Sequence, residues 1–320
     1  MSSVAVIGAG AWGTALAIQA ARACNDVTLW ARDPQRAGMI AVTRENARLP
    51  GVRIPEPIWV TGAAPTVADI TLLAVPMQHI RTVLPQLPPG LAPLVVCAKG
   101  LETGTLRLPL EIIEELRPGT PAAVLTGPNF AHEIAAGLPA AAVVAATDPT
   151  LREHVANALS TPSYRLYGND DPTGAQVGGA AKNVIAIAAG TVIGAGLGEN
   201  ARAALITRGL AELARLAAAL GGRRETVMGL SGLGDLLLTC TGPASRNFSL
   251  GLALGGGEAL ADVLAARSAV TEGVATAPAL VARAAGVDLP ICTAVSALLS
   301  GDTTLKEAMA ALLSRPRRDE

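Results

Sequence analysis

Lysine is the scarce cation of this chain. Of its 25 Lys and Arg residues, only Lys99, Lys182 and Lys306 are lysine. A guanidinium stays charged at any ordinary pH, whereas an ammonium can give up its proton when burial or nearby cations lower its pKa. A lysine kept against an arginine background therefore marks a place where a removable proton matters. Lys182 heads an apolar stretch, "AAKNVIAIAAG" (Ala180–Gly190), that holds no other charge. Lys99 closes the run "LVVCAKG" (Leu94–Gly100), while Lys306 in "GDTTLKEAMAALL" reads as plain helix surface. Lys99 and Lys182 entering one cleft from different domains would suit a carbonyl or alcohol substrate. One would donate and accept the proton while the other holds or polarises the oxygen.

A second group of polar residues lies in "GLSGLGDLLLTCTGPASRN". Asp235 sits in a glycine-rich turn just before an apolar helix, a position from which a carboxylate can orient or tune an ammonium. Ser245, Arg246 and Asn247 offer a hydroxyl, a guanidinium and an amide in succession, a set able to grip a phosphate monoester. The "GLSGLG" segment is not a nucleophile elbow, because Leu233 stands where the last glycine is needed. His79, His132 and His154 are scattered without zinc-like spacing, so no metal is expected. Of the three, His132 in "NFAHE" is the one placed to approach a substrate.

The elements that must position these residues fall into two regions. "SVAVIG" (Ser3–Gly8), "VTLWA" (Val27–Ala31), "ITLLAVP" (Ile70–Pro76), "LVVCAKG", "AAVLTGP" (Ala122–Pro128) and "AAAVVAAT" (Ala140–Thr147) are near-continuous apolar runs. Such runs are expected of strands buried on both faces of a parallel sheet, and their spacing leaves room for crossover helices. "SYRLYG" (Ser163–Gly168) is the last strand-like piece. From about Pro172 alanine- and leucine-rich segments such as Asn200–Leu220 and Gly256–Ala266 dominate. The fold class predicted is α/β: a Rossmann-like, doubly wound sheet domain over residues 1–170, then an all-α substrate domain over 171–320. The charged tail "SRPRRDE" is expected to fray.

"VAVIGAGAWGTALA" places Gly8, Gly10 and Gly13 as a G-x-G-x-x-G that follows a strand and opens a helix, the context that gives the motif its meaning. Gly8 allows the tight turn, Gly10 lets backbone approach a pyrophosphate, and Gly13 lets helix pack on strand. A ribose-binding acid is expected about 20 residues on. That position, at the end of "LWARD", holds Arg32 with Asp33 behind it. A guanidinium there pairs with a 2′-phosphate and favours NADP(H), with NAD(H) as a second cofactor. Trp12, inside the loop, either covers the cofactor or packs into the core.

The formal charge of −1 gives no electrostatic footprint for nucleic acid or an anionic membrane. The apolar run Val184–Leu197 falls short of the roughly 18 residues of a membrane span. The N-terminal apolar stretch lacks a basic n-region and is broken by glycines, so it reads as folded protein, not a signal. Cys24, Cys97, Cys240 and Cys292 are far apart, as expected of reduced thiols in a cytoplasmic protein. The oligomeric state is open, with a homodimer the candidate.

Taken in order, "VAVIGAGAWGTALA", "AVP", "AKGLE", "TGPNFAHE", "AAKNVIAIAAG", "NARAALITRGL", "GLSGLGDLLLTCT", "SRN" and "TEGVATA" resemble the bacterial NAD(P)-dependent glycerol-3-phosphate dehydrogenase family along nearly the whole chain. The resemblance implies reversible reduction of dihydroxyacetone phosphate to sn-glycerol 3-phosphate, supplying phospholipid synthesis. It makes Lys182 the general acid/base and Lys99 a substrate-binding residue beside the cofactor. Gly127, Asn129, Asp235, Ser245, Arg246 and Asn247 would help hold the substrate, with Thr239 supporting the acid. Ala11, Trp12, Arg32, Ala131, Arg246 and Glu272 would line the cofactor.

Three segments depart from the family pattern. Asn129 replaces the usual Ser or Thr, "ENARLPG" (Glu45–Gly51) lacks an aromatic before Leu-Pro, and "TEGV" replaces Val-Glu-Gly-Val. Two rivals use the same layout. A hydroxyacid dehydrogenase or ketoacid reductase would carry an Asn one turn after its lysine, where this chain has Ala186. A cofactor-binding sensor would not need Lys99, Lys182 and Asp235 together.

Overall fold

Apolar runs with no polar side must be covered on both faces, and the chain does this with two helical layers. The computed structural model describes residues 2–91, 93–267 and 270–316. Two compact units divide the chain: Met1–Lys99 with Arg107–Gln176, and Gly100–Leu106 with Val177–Glu320.

The first unit is built on an eight-stranded sheet ordered β3-β2-β1-β4-β5-β6-β7-β8. Its elements are β1 (Ser3–Ile7), α1 (Ala11–Arg22), β2 (Asp26–Trp30), α2 (Pro34–Thr43), β3 (Ile58–Thr61) and β4 (Ile70–Leu73). A short α3 (Ile80–Val83), β5 (Leu94–Val96), α4 (Pro109–Leu116) and β6 (Ala122–Thr126) follow. The unit ends with α5 (Ala131–Ala136), β7 (Ala140–Ala145), α6 (Pro149–Leu159) and β8 (Tyr164–Asn169). Successive strand side chains point to opposite faces. Accordingly Val4, Val6, Leu72 and Val95 join one core with α1, α5 and α6, while Ala5, Ile7, Leu73 and Val96 join the other with α3 and α4.

Two features differ from the sequence expectation. β3 is an additional edge strand, whose Trp59 is 69% exposed; its alternating burial escaped a search for continuous apolar runs. β7 runs antiparallel to β6, and β8 runs parallel to β7. The link from Thr126 to Ala140 has only the six-residue α5, close to the minimum for the crossover that a parallel return requires.

The second unit is helical: α7 (Pro172–Gly194, which starts in the first unit), α8 (Gly198–Ala219), α9 (Arg224–Val227), α10 (Asp235–Cys240) and α11 (Arg246–Gly255). After these come α12 (Leu260–Ala265), α13 (Glu272–Arg283), α14 (Pro290–Ser300) and α15 (Leu305–Leu313). The helix carrying Lys182 begins ten residues earlier than its apolar run suggested, so Lys182 sits mid-helix rather than at its head. Asp171 starts it, accepting from Gly174 N at 2.8 Å, with Pro172 in the first turn. At 23 residues α7 is long and apolar enough to cross a membrane, but it is almost wholly buried inside the protein. The segment expected as Gly256–Ala266 is helical only over Leu260–Ala265. The tail that was expected to fray lies outside the described residues from 317 onward.

Candidate active site

In the first unit the glycine loop joins β1 to α1 at the point where strand order reverses between β1 and β4. Ligands of open α/β sheets bind at such a point, beyond the carboxyl ends of the strands. Gly8 has φ +112°, and a Cβ there would meet Ala74 O at 2.8 Å. A Cβ on Gly13 would lie 1.9 Å from Gly8 O, so helix and turn fit together only without one. A Cβ on Gly10 would meet nothing within 4 Å, so this side of its backbone is open to an approaching diphosphate at the N-terminus of α1. These residues fit a dinucleotide. Ala11, Trp12 and Ala131 are partly buried and pack against the same core. Trp12 is therefore anchored in the protein by part of its indole.

A bracket that the sequence did not reveal holds the loop from outside. Asn46, almost wholly buried, donates from Nδ2 to Ala9 O (3.0 Å) and Thr14 Oγ1 (2.7 Å). Its Oδ1 accepts from Arg36 Nη2 (3.0 Å) and Arg48 N (3.1 Å). Arg36 Nη2 also donates to Ala9 O. Arg32 is exposed beyond the end of β2, and Asp33 caps α2, accepting from Gln35 N and Arg36 N.

Lys99 lies past the end of β5 and donates to Gly127 O at 3.0 Å. Gly127 has φ +141°, with the Ala142 backbone 3.0 Å from where a Cβ would stand, so glycine is required where this carbonyl turns toward the lysine. Asn129 Nδ2 reaches Ala141 O at 3.4 Å, while its buried Oδ1 has no hydrogen-bond partner. An unsatisfied buried acceptor beside this turn is a place for a ligand's donor. The His132 ring stacks on Phe130, with centroids 5.8 Å apart.

In the second unit Lys182 Nζ donates to Asp235 Oδ1 (2.5 Å) and Thr239 Oγ1 (2.8 Å). Thr239 Oγ1 in turn donates a hydrogen bond to Asp235 O at 2.6 Å. Lys182 is 7% exposed and Asp235 1%, so ammonium and carboxylate meet with little water between them. Asp235 sits at the first turn of α10 because Leu230–Gly234 forms a π-helical turn before it. That turn needs Gly232, whose Cβ would lie 1.9 Å from Val227 O. Burial pushes the neighbouring Cys240 thiol up to about 12, against the pull of the Lys182 ammonium, so it stays protonated.

Ser245 and Asn247 are committed to the fold as well as placed near the centre. Ser245 Oγ caps α11 by accepting from Phe248 N at 3.2 Å. Asn247 Oδ1 accepts from Gly273 N (3.0 Å), and its Nδ2 donates to Asn183 Oδ1 (2.8 Å). A backbone N–H can only donate, so this chain fixes the orientation of both amides and leaves Asn183 with its NH2 end outward from the pair. Asn183 was visible beside Lys182, but nothing local marked its partner Asn247, 64 positions on, or Gly273, which bonds that partner. Arg246 donates to Val270 O at 2.7 Å; burial, more than the adjoining Arg267, lowers its pKa, while Glu272 raises it.

The first unit thus has the build of a nicotinamide-dinucleotide oxidoreductase domain, and the second carries a buried lysine–carboxylate pair. Known proteins sharpen that class. Residues 3–152 match the family model for the NAD-dependent glycerol-3-phosphate dehydrogenase N-terminus, and residues 171–310 match the C-terminus of the same family. The chain is 58% identical to glycerol-3-phosphate dehydrogenase [NAD(P)+] of Acidiphilium cryptum, over 99% of this chain and 98% of that one. Against the Gluconobacter oxydans protein of the same name it is 53% identical, over 98% and 97%. The crystal structure of glycerol-3-phosphate dehydrogenase from Coxiella burnetii superposes with a TM-score of 0.90 at 34% identity, covering 98% of this chain and 99% of that one. The chain belongs to the NAD-dependent glycerol-3-phosphate dehydrogenase family.

Proposed function

We propose that this chain reversibly reduces dihydroxyacetone phosphate to sn-glycerol 3-phosphate with NADPH, taking NADH as a second cofactor, and that Lys182 is the general acid and base. The observation that carries the reading is the buried centre of Lys182, Asp235 and Thr239 in a chain whose relatives are named for this reaction. When bound, the nicotinamide supplies the hydride. Lys182 gives its proton to the oxygen of the reduced carbonyl and takes it back in the oxidative direction. Asp235 and Thr239 both accept from the ammonium and so fix its position.

Lys99, held by Gly127 O, places a second cation on the substrate, and the unsatisfied Asn129 oxygen takes a substrate donor. Gly127 keeps both in register. Ser245, Arg246 and Asn247 at the start of α11 are assigned to the phosphate. Gly8, Gly10, Gly13, Ala11, Trp12, Arg32, Ala131, Arg246 and Glu272 are assigned to the dinucleotide. We place the protein in the cytoplasm as a homodimer, supplying glycerol phosphate to phospholipid synthesis; its four cysteines are free.

The test is to mix purified protein with dihydroxyacetone phosphate and either reduced cofactor, follow loss of nicotinamide absorbance, and identify the product. sn-Glycerol 3-phosphate is expected. Cofactor oxidation by a 2-ketoacid but not by dihydroxyacetone phosphate would overturn the reading.

A further inference from the structure

We infer that Arg36 is a second guanidinium for the 2′-phosphate of NADP(H), acting with Arg32 and supported by Arg48, and that it sets the preference for NADPH over NADH. The inference rests on the dinucleotide reading of the first unit and names a residue that the glycine motif does not contain.

Arg36 lies in the first turn of α2, four residues after Arg32 and just past the Asp33 cap, so the β2–α2 connection carries both arginines beyond the end of β2. Its guanidinium is tied to the loop itself, since Nη2 donates to Ala9 O between Gly8 and Gly10, and to Asn46 Oδ1. Both bonds use Nη2. A guanidinium has further donors on Nε and Nη1, set at a fork angle that matches phosphate oxygens.

The surroundings favour an anion. Arg48 donates its backbone N–H to the same Asn46 Oδ1, and its positive charge bears on Arg36. Burial, then Arg48, lowers the Arg36 pKa; Asp33 opposes them. The Arg48 charge and the Arg36 guanidinium repel each other, and a dianionic phosphate would relieve that repulsion. Asp33, whose charge bears on Arg36, has Oδ1 spent on two backbone N–H groups of α2. In loops that favour NAD, an acid in this region instead receives the ribose hydroxyls.

Arg36 also staples the loop, and the test must separate the two roles. Binding of adenosine 2′,5′-bisphosphate and adenosine 5′-monophosphate to the full chain is measured by calorimetry for wild type, Arg32→Gln, Arg36→Gln and Arg48→Gln. Glutamine at 36 removes the charge but ends two bonds short of Nη2, so a loosened loop shows as a loss common to both nucleotides, separate from a loss specific to the 2′-phosphate. Arg36→Gln is expected to lose about tenfold or more affinity for the 2′,5′-bisphosphate and little for the monophosphate. The same variant should raise KM for NADPH far more than KM for NADH. Equal loss of both ligands would show that Arg36 only holds the loop, and no loss of either would place the 2′-phosphate elsewhere; each overturns the inference. A wild type that binds the two nucleotides equally would instead overturn the NADP(H) reading beneath it.

Discussion

Lys182 sits where its ammonium is neither in water nor alone. Asp235 and Thr239 both accept from it in a site nearly closed to solvent. Removing the carboxylate charge leaves a buried cation with neutral acceptors, a change that costs about 3–5 kcal/mol when a buried pair is broken. Asp235→Asn should therefore lower both turnover and the denaturant midpoint, and an active variant of unchanged stability would contradict this geometry. The scarcity of lysine pointed to Lys182 and Lys99 from the sequence alone. Asn183, Asn247 and Gly273, or Asn46 and Arg36, were not legible as groups. Their roles come from hydrogen bonds that tertiary packing creates between distant positions.

At the scale of elements, glycines set how close α7 and α11 come. A Cβ on Gly190 would lie 2.0 Å from Phe248 O, and one on Gly251 would lie 1.9 Å from Ile187 O. The two helices meet backbone to backbone, which brings Asn247 within reach of Asn183. Gly251→Ala should force them apart, lower stability by about 1–3 kcal/mol or more, and reduce turnover. Thermal unfolding and steady-state rates check both, and a silent substitution would contradict so close an approach.

Glu212 on α8 reaches the start of α14, accepting from Ile291 N (2.7 Å) and Cys292 N (3.1 Å). Burial raises its pKa above the ordinary 4.5, although those N–H groups and Arg215 pull the other way. A raised carboxyl is protonated more readily folded than unfolded, so its contribution is complete below about 4.5 and fades as pH rises through the raised value. Relative to Glu212→Gln, the wild type should lose stability over that rise; parallel stability curves would refute it. Elements with continuous apolar runs or long alanine-rich stretches could be read in advance. β3 could not, because an edge strand shows only alternation, and the reversal at β7 depends on how α5 fills a short link.

Over the whole molecule, cofactor binding to the sheet and its glycine turn in the first unit should raise stability. At a hundredfold excess over Kd, NADPH should add about 2.7 kcal/mol to unfolding. Gly13→Ala, which sets a methyl 1.9 Å from Gly8 O, should abolish that gain, measured as the NADPH-induced shift in denaturant midpoint. An undiminished shift would mean the cofactor binds elsewhere. The fold class, a sheet region followed by helices, was legible from the apolar runs and the alanine- and leucine-rich segments after them, whereas the assignment of Gly100–Leu106 to the second unit has no local signal.

The most direct test of the central claim compares Lys182→Arg with wild type in NADPH consumption by dihydroxyacetone phosphate, alongside NADPH binding and thermal unfolding. Arginine keeps the charge and the hydrogen bond to Asp235 but cannot release its proton at neutral pH. Lys182→Arg is expected to fold, to bind NADPH and to turn over at least about a hundredfold more slowly. Turnover near that of wild type would show that the proton comes from another group.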